Sequence, residues 1–199
     1  MKSLKILTFI ILIFIPKQLF ALIEIDITRG NLNPLPIAVS ALYSDNQTNE
    51  AFKKEIKIDK IGDEISSVIE KNLKTTGLFN PLEKEAFLQK PDVAHLKPRF
   101  EDWALIKAQA LITGKVEFKD DKVRVEFRLW DVLAGKEMLA LAFTTVPTNW
   151  RRIGHIISDK IYERLTGEKG YFDTRIIYVS EEGPKTQDRK STRLNSSHS

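Results

Sequence analysis

Apolar residues open this chain as one block and later settle into two alternating periods, and each change of period marks an element. Lys2 and Lys5 stand ahead of the block, which runs from Ile6 to Ile15 and is broken by Pro16. Lys17 and Gln18 follow, then Leu19, Phe20 and Ala21. A positive start, a short apolar stretch and a small residue at its end are the layout of a secretory signal peptide. The stretch falls short of the roughly 20 residues that carry a helix across a bilayer, which disfavours an uncleaved anchor. Residues 1–21 are therefore expected to be a signal peptide cut between Ala21 and Leu22, with no integral membrane segment after cleavage.

Period two takes over at once. Leu22, Ile23, Glu24, Ile25, Asp26, Ile27 and Thr28 place isoleucines on one side and polar groups on the other, as in a half-buried strand. A turn at residues 30–34 leads to a second alternation through Leu35, Ile37, Val39 and Ala41, and residues 44–55 are polar and read as a surface loop. From Asp59 the period is helical: Ile61, Ile65, Val68, Ile69 and Leu73 share a face, and Gly77 offers a left-handed C-cap. Residues 78–82 read as a short extended segment and residues 100–107, after Pro98, as a short helix.

A strand over residues 110–118 comes next, with a tight turn at 119–122. Val123, Val125, Phe127 and Leu129 then alternate with Arg124, Glu126 and Arg128, and a turn at 131–136 leads into residues 138–146. Short connections between three strands predict an antiparallel meander. The consecutive apolar residues 139–143 predict that its last strand is covered on both faces. Thr148 is the expected N-cap of a long helix whose stripe is Trp150, Ile153, Ile157, Ile161 and Leu165, with Gly167 ending it. Residues 171–180 read as a final strand. The fold class expected is α/β (α+β), two amphipathic helices packed on a mixed sheet of about five strands.

Composition changes this picture mainly at the two ends. The net charge of +4 suggests an anionic partner until the charge is located. Lys2, Lys5 and Lys17 face no acid in the leader, and Arg189, Lys190 and Arg193 outnumber Asp188 near the end, so the body between is slightly acidic. Its basic residues are scattered among acids and do not alternate with aromatics, which argues against a nucleic-acid groove. Residues 188–198 read codon by codon as the in-frame translation of a widely used sequencing adapter. Residues 188–199 are therefore expected to be an artefact, with the coding sequence continuing past this point.

Candidate chemistry is sparse. The chain has no cysteine, which excludes disulfides, iron–sulfur clusters and thiol catalysis. His155 lies four residues before Asp159, so the two could meet on one helical turn as half of an acid–base pair or a metal site. A metal needs three or four ligands, and no further His or Cys is at hand to supply them easily. His95 stands alone in a Pro-flanked loop, and Glu24 with Asp26 reads as the solvated face of a strand. Gly167-Glu168-Lys169-Gly170 comes after a helix, whereas a phosphate loop precedes one. No catalytic, cofactor or metal site is expected.

Several runs together resemble the amino-terminal domain of the TolB family: NLKTTGLFNPL at 72–82, GKV at 114–116 with the meander after it, WRR at 150–152 and DKIYERLTGEKGYFDTRIIYV at 159–179. The likeness extends in order over residues 22–180. It implies that residues 22–170 form the TolB-like domain and that residues 171–187 begin a six-bladed β-propeller, the rest of which is missing here. It further implies a non-catalytic periplasmic scaffold of the Tol–Pal system. Such a protein links the inner-membrane Tol complex to the lipoprotein Pal, for envelope integrity and for outer-membrane constriction during cell division. By the same resemblance the contact with TolA falls on Leu22, Ile23, Glu24, Ile25, Asp26, Ile27, Thr28 and Arg29, a segment that in the family switches between ordered and free states. The Pal contact falls mostly on the missing propeller, and a monomer without cofactor is expected. Residues 42–57 depart from the family in being polar and longer than usual.

Two other readings stay open at this point, an accessory domain of an envelope hydrolase with a TolB-like propeller and a stand-alone regulator of cell-wall synthesis. Re-reading the genomic locus separates them. Propeller blades ending in a stop codon are the expected outcome. A Gly-x-Ser-x-Gly elbow beyond the blades would indicate the hydrolase, and a natural stop near Lys185 the regulator.

Overall fold

The computed structural model describes Ile23, residues 33–174, and the backbone of Val179–Ser180 and Thr192–Arg193. The chain enters the sheet at β1 (Leu35–Val39), where Ile37 and Val39 join one core cluster and Ala38 another across the sheet. The strand breaks at residues 40–42 and resumes as β2 (Tyr43–Ser44). Where a surface loop was expected, the chain forms α1 (Asn46–Ile56). Its apolar stripe is little more than Phe52 and Ile56, too sparse to show a period. Asp45 starts it by accepting the Thr48 amide at 2.7 Å, and Phe52 is fully buried, edge-on to Phe118 with ring centroids 5.9 Å apart. Tertiary burial of this kind, rather than intrinsic propensity, stabilises a polar helix.

α2 (Ile61–Thr75) buries Ile61, Ile65, Ile69 and Leu73 as the spacing predicts, and Gly77 after it adopts φ +71°. Its first turns enter the break in the first strand. The Leu42 amide donates to Ser66 Oγ at 3.0 Å, and that hydroxyl reaches the Gly62 and Ser40 carbonyls at 2.8 and 3.1 Å. The two backbones touch there, and a Cβ on Gly62 would overlap the Leu42 carbonyl oxygen.

β3 (Phe79–Pro81) lies parallel to β1. Two short helices, α3 (Pro91–Ala94) and α4 (Phe100–Leu105), then contribute to the second cluster. There Ala94 and Trp103 join Ala38, Leu111 and Val132. The Trp103 indole donates to Gln89 Oε1 at 3.0 Å, and the same oxygen accepts the Arg99 amide at 2.9 Å.

The meander of β4 (Ala110–Lys119), β5 (Lys122–Asp131) and β6 (Lys136–Thr145) forms as expected, and the sheet runs β3-β1-β4-β5-β6 with β2 also pairing β4. Asp120 and Asp121 adopt φ +52° and +55°, the left-handed pair of a two-residue hairpin whose twist matches its strands. The expectation for β6 fails. Among the described residues it is an edge strand, and Ala140, Leu141 and Ala142 are exposed. Consecutive apolar residues signal two-sided burial only where a layer covers each face of the strand, and here α2 and α5 cover one face. The far face of β6 carries small alanines.

α5 (Trp150–Thr166) buries all five residues of its expected stripe and ends at Gly167 with φ +74°. A 3-10 turn, Pro147–Asn149, precedes it, so Asn149 rather than Thr148 holds the cap position, without a side-chain bond. Residues 171–174 are not a strand. β7 (Val179–Ser180) pairs antiparallel with β8 (Thr192–Arg193), and residues 175–178 lie outside the described residues. The result is an α+β domain with α2 and α5 on one face of a mixed, open sheet. Among the described residues no helix is long and apolar enough to cross a membrane.

Gly62→Ala is expected to destabilise the domain by about 1–3 kcal/mol or more, because backbone, not a mobile side chain, must yield. Urea denaturation checks this: a midpoint unchanged from the parent would show that the strand break is not held by close approach.

Candidate functional site

Of the residues singled out for partner contact, the structure describes Ile23 alone, half-buried against the main core. Leu22, Glu24, Ile25, Asp26, Ile27, Thr28 and Arg29 lie outside the described residues, as does Ala21.

The suggested His155–Asp159 pair is not assembled. Each side chain is engaged elsewhere, and the hydrogens can be assigned from the partners. Ser158 Oγ donates to the Gly154 carbonyl at 2.8 Å, so it must accept from Asn72 Nδ2, 3.0 Å away. That fixes the Asn72 amide group as donor. Its second N–H therefore points at His155 Nδ1 at 2.9 Å, which must accept. The ring is thus neutral with its proton on Nε2, and it ties α5 to α2. Burial lowers the His155 pKa, against the attraction of Asp173 and Asp159 and with a further lowering by Arg151. Asp159 faces the other way, toward the chain leaving α5. Both its oxygens accept backbone amides, from Phe172 at 2.6 Å and Asp173 at 3.0 Å. Nothing in the periodic pattern marks this contact, although Gly170 and Asp173 stand in the run just after the helix.

A groove of about 400 Å³ lies on the sheet face away from α5. Lys115, Arg124, Glu126 and Arg128 form its floor, Ala140 and Ala142 its edge, and His95 with Leu96 its wall. His95 stacks on Tyr43 with centroids 4.5 Å apart and donates from Nδ1 to the Pro91 carbonyl at 3.0 Å. The floor cations are paired: Lys115 with Glu117 at 2.7 Å, Arg124 with Glu126 at 2.9 Å and Arg128 with Glu137 at 3.3 Å. The charge alternation on β5 was visible in the sequence, as was the same-face spacing of Arg124 and Glu126, and only the Arg128–Glu137 pair needed the neighbouring strand. Among the described residues no group of three His, Cys, Asp or Glu could hold a metal.

Residues 23–138 match the TolB amino-terminal domain family. The Tol-Pal system protein TolB of Pelagibacter ubique is 75% identical over 179 residues, covering 90% of this chain and 40% of that protein. This chain thus spans well under half the length of that curated relative. In the crystal structure of TolB from Acinetobacter baumannii the same fold recurs, with a TM-score of 0.59 at 23% identity over 79% of this chain and 35% of that one.

The neutral His155 carries a pH signature. Its folded pKa lies below the ordinary value near 6.5, so the folded state resists a proton that the unfolded chain accepts. The stability it contributes is complete above that value and is lost as the pH falls through the depressed folded pKa. NMR titration should place the His155 midpoint below that of an unfolded histidine, and His155→Gln should flatten the fall of stability as the pH drops below the ordinary histidine value. A midpoint at or above the ordinary value would contradict the hydrogen assignment.

Proposed function

The chain belongs to the TolB family, and on that premise we propose that it is the amino-terminal part of a non-catalytic periplasmic scaffold of the Tol–Pal system. In this reading the whole protein links the inner-membrane Tol complex to Pal, sustaining envelope integrity and outer-membrane constriction during cell division. The observation that carries the reading is 75% identity over 90% of this chain to a Tol-Pal system protein. The domain covers residues 22–170 after removal of residues 1–21. Residues 171–187 begin the propeller, and residues 188–199 derive from an adapter. Most of the Pal contact then falls on blades that this chain does not carry.

TolA contact is assigned to residues 22–29. Their alternation suits pairing with a sheet edge through main-chain hydrogen bonds, with isoleucines filling pockets on one side. In this reading the segment detaches without unfolding the core, since Ile23, its one described residue, is only half-buried. Cleavage after Ala21 sets where this segment begins, so the cleavage position is itself a binding parameter.

Deleting residues 22–29 from the complete mature protein should abolish capture by purified TolA. Losing the half-buried Ile23 is worth about 1 kcal/mol, which lowers the melting temperature of a domain this size by only about 2–4 °C. Capture retained by the deleted protein would refute the assignment.

A further inference from the structure

After α5 the chain reads Gly167-Glu168-Lys169-Gly170, the composition of a flexible hinge. Its geometry is that of a fixed part. Residues 167–173 form neither helix nor strand, yet the amides of Phe172 and Asp173 are both satisfied by the Asp159 carboxylate. Charge-assisted bonds of this kind are about twice as strong as neutral ones. Gly170 lies so close to α5 that a Cβ there would overlap Asp159 Cα, so only glycine lets the chain cross at this height. Phe172 packs on the main core, and the Tyr171 and Phe172 rings sit 5.6 and 6.1 Å from that of Tyr162. Farther along, Arg152 in the first turn of α5 grips Asp173 through Nε at 3.0 Å and Nη2 at 3.1 Å. Arg152 and Asp159 stand about 10 Å apart along the helix axis, and Asp173 meets both, its amide on Asp159 and its carboxylate on the Arg152 side chain.

We propose that residues 167–173 are a rigid strap, locked onto α5 by Asp159, that moves with the helix as one body. Asp159 is its positioning residue, Gly170 its point of close approach and Arg152–Asp173 its outer tether. The chain is then delivered beside the middle of α5, at Asp159, instead of from the helix's C-terminal end. No bending point lies at the two glycines, and any rotation or load passed between this domain and the chain beyond Asp173 enters through α5.

The test is ¹⁵N relaxation and amide exchange on the intact chain. Order parameters for residues 168–173 should match those of α5, near 0.85, and the Phe172 and Asp173 amides should exchange at least tenfold slower than unprotected ones. Strap order parameters below about 0.6 in the parent chain would overturn the proposal without any mutation. Asp159→Ala should release both amides while those of Ile157 and Ile161 keep their protection, and Arg152→Gln should loosen Asp173 and leave Phe172 held. If Asp159→Ala fails to fold, Asp159→Asn keeps the shape and should expose one of the two amides. Unchanged protection of both amides in a folded Asp159 variant would also overturn it.

Discussion

The architecture depends on one close contact, the start of α2 seated in the break of the first strand. Gly62 lets the two backbones touch, and the Leu42 amide in the break is shared between Ser66 Oγ at 3.0 Å and the Gly62 carbonyl at 3.3 Å. An unpaired amide in a buried place costs about 1–3 kcal/mol, so a broken strand survives only with such a partner. With the break satisfied, β1 and β2 both lie along β4, and α2 is fixed over the sheet. α5 then packs on α2, and the Asn72–Ser158–His155 group satisfies the polar atoms at that seam. The strap packs on α5 in turn. Each layer thus takes its position from the one beneath it.

Elements with a full apolar period were legible in the sequence, and those held by tertiary contacts were not. α2, α5 and β5 repeat apolar residues at the right spacing, and their buried stripes are the ones expected. α1 has one fully buried aromatic, Phe52, whose partner Phe118 is far away in sequence, so no window around it shows a helix. β6 shows the opposite error. Its apolar run is real, but the layers over a strand decide burial, and the sequence does not say which faces they cover. The candidate site divides in the same way. The alternation of residues 22–29 is plain in the sequence, whereas the bonds of Asp159 to Phe172 and Asp173 join residues too far apart for a helical or strand period to reveal.

The two faces of the sheet differ in kind. One is closed by α2 and α5 over large aliphatic and aromatic side chains. The other is closed only where Trp103 and Ala94 cover Leu111, and beyond them it is a ladder of paired charges bordered by alanines. Surface pairs of this type add little stability, with a median near 0–1 kcal/mol each. They keep the face hydrated instead. The exposed edge of β6 beside it lacks a charge from Met138 to Thr145, the composition that most readily accepts another strand. Among the described residues this side of the domain thus presents a strand edge and a charged face rather than an enclosed cavity.

Ile23 near the start of the domain and Phe172 near its end pack, both half-buried, against the same core. Burying such a side chain is worth about 1–2 kcal/mol, small beside the 5–15 kcal/mol of a whole domain, so either contact could be lost without unfolding. At the exit, however, Phe172 is joined by the two Asp159 bonds, the Arg152–Asp173 fork and the Tyr162 ring cluster. These act together, and each is formed at lower entropic cost because the others already hold the chain.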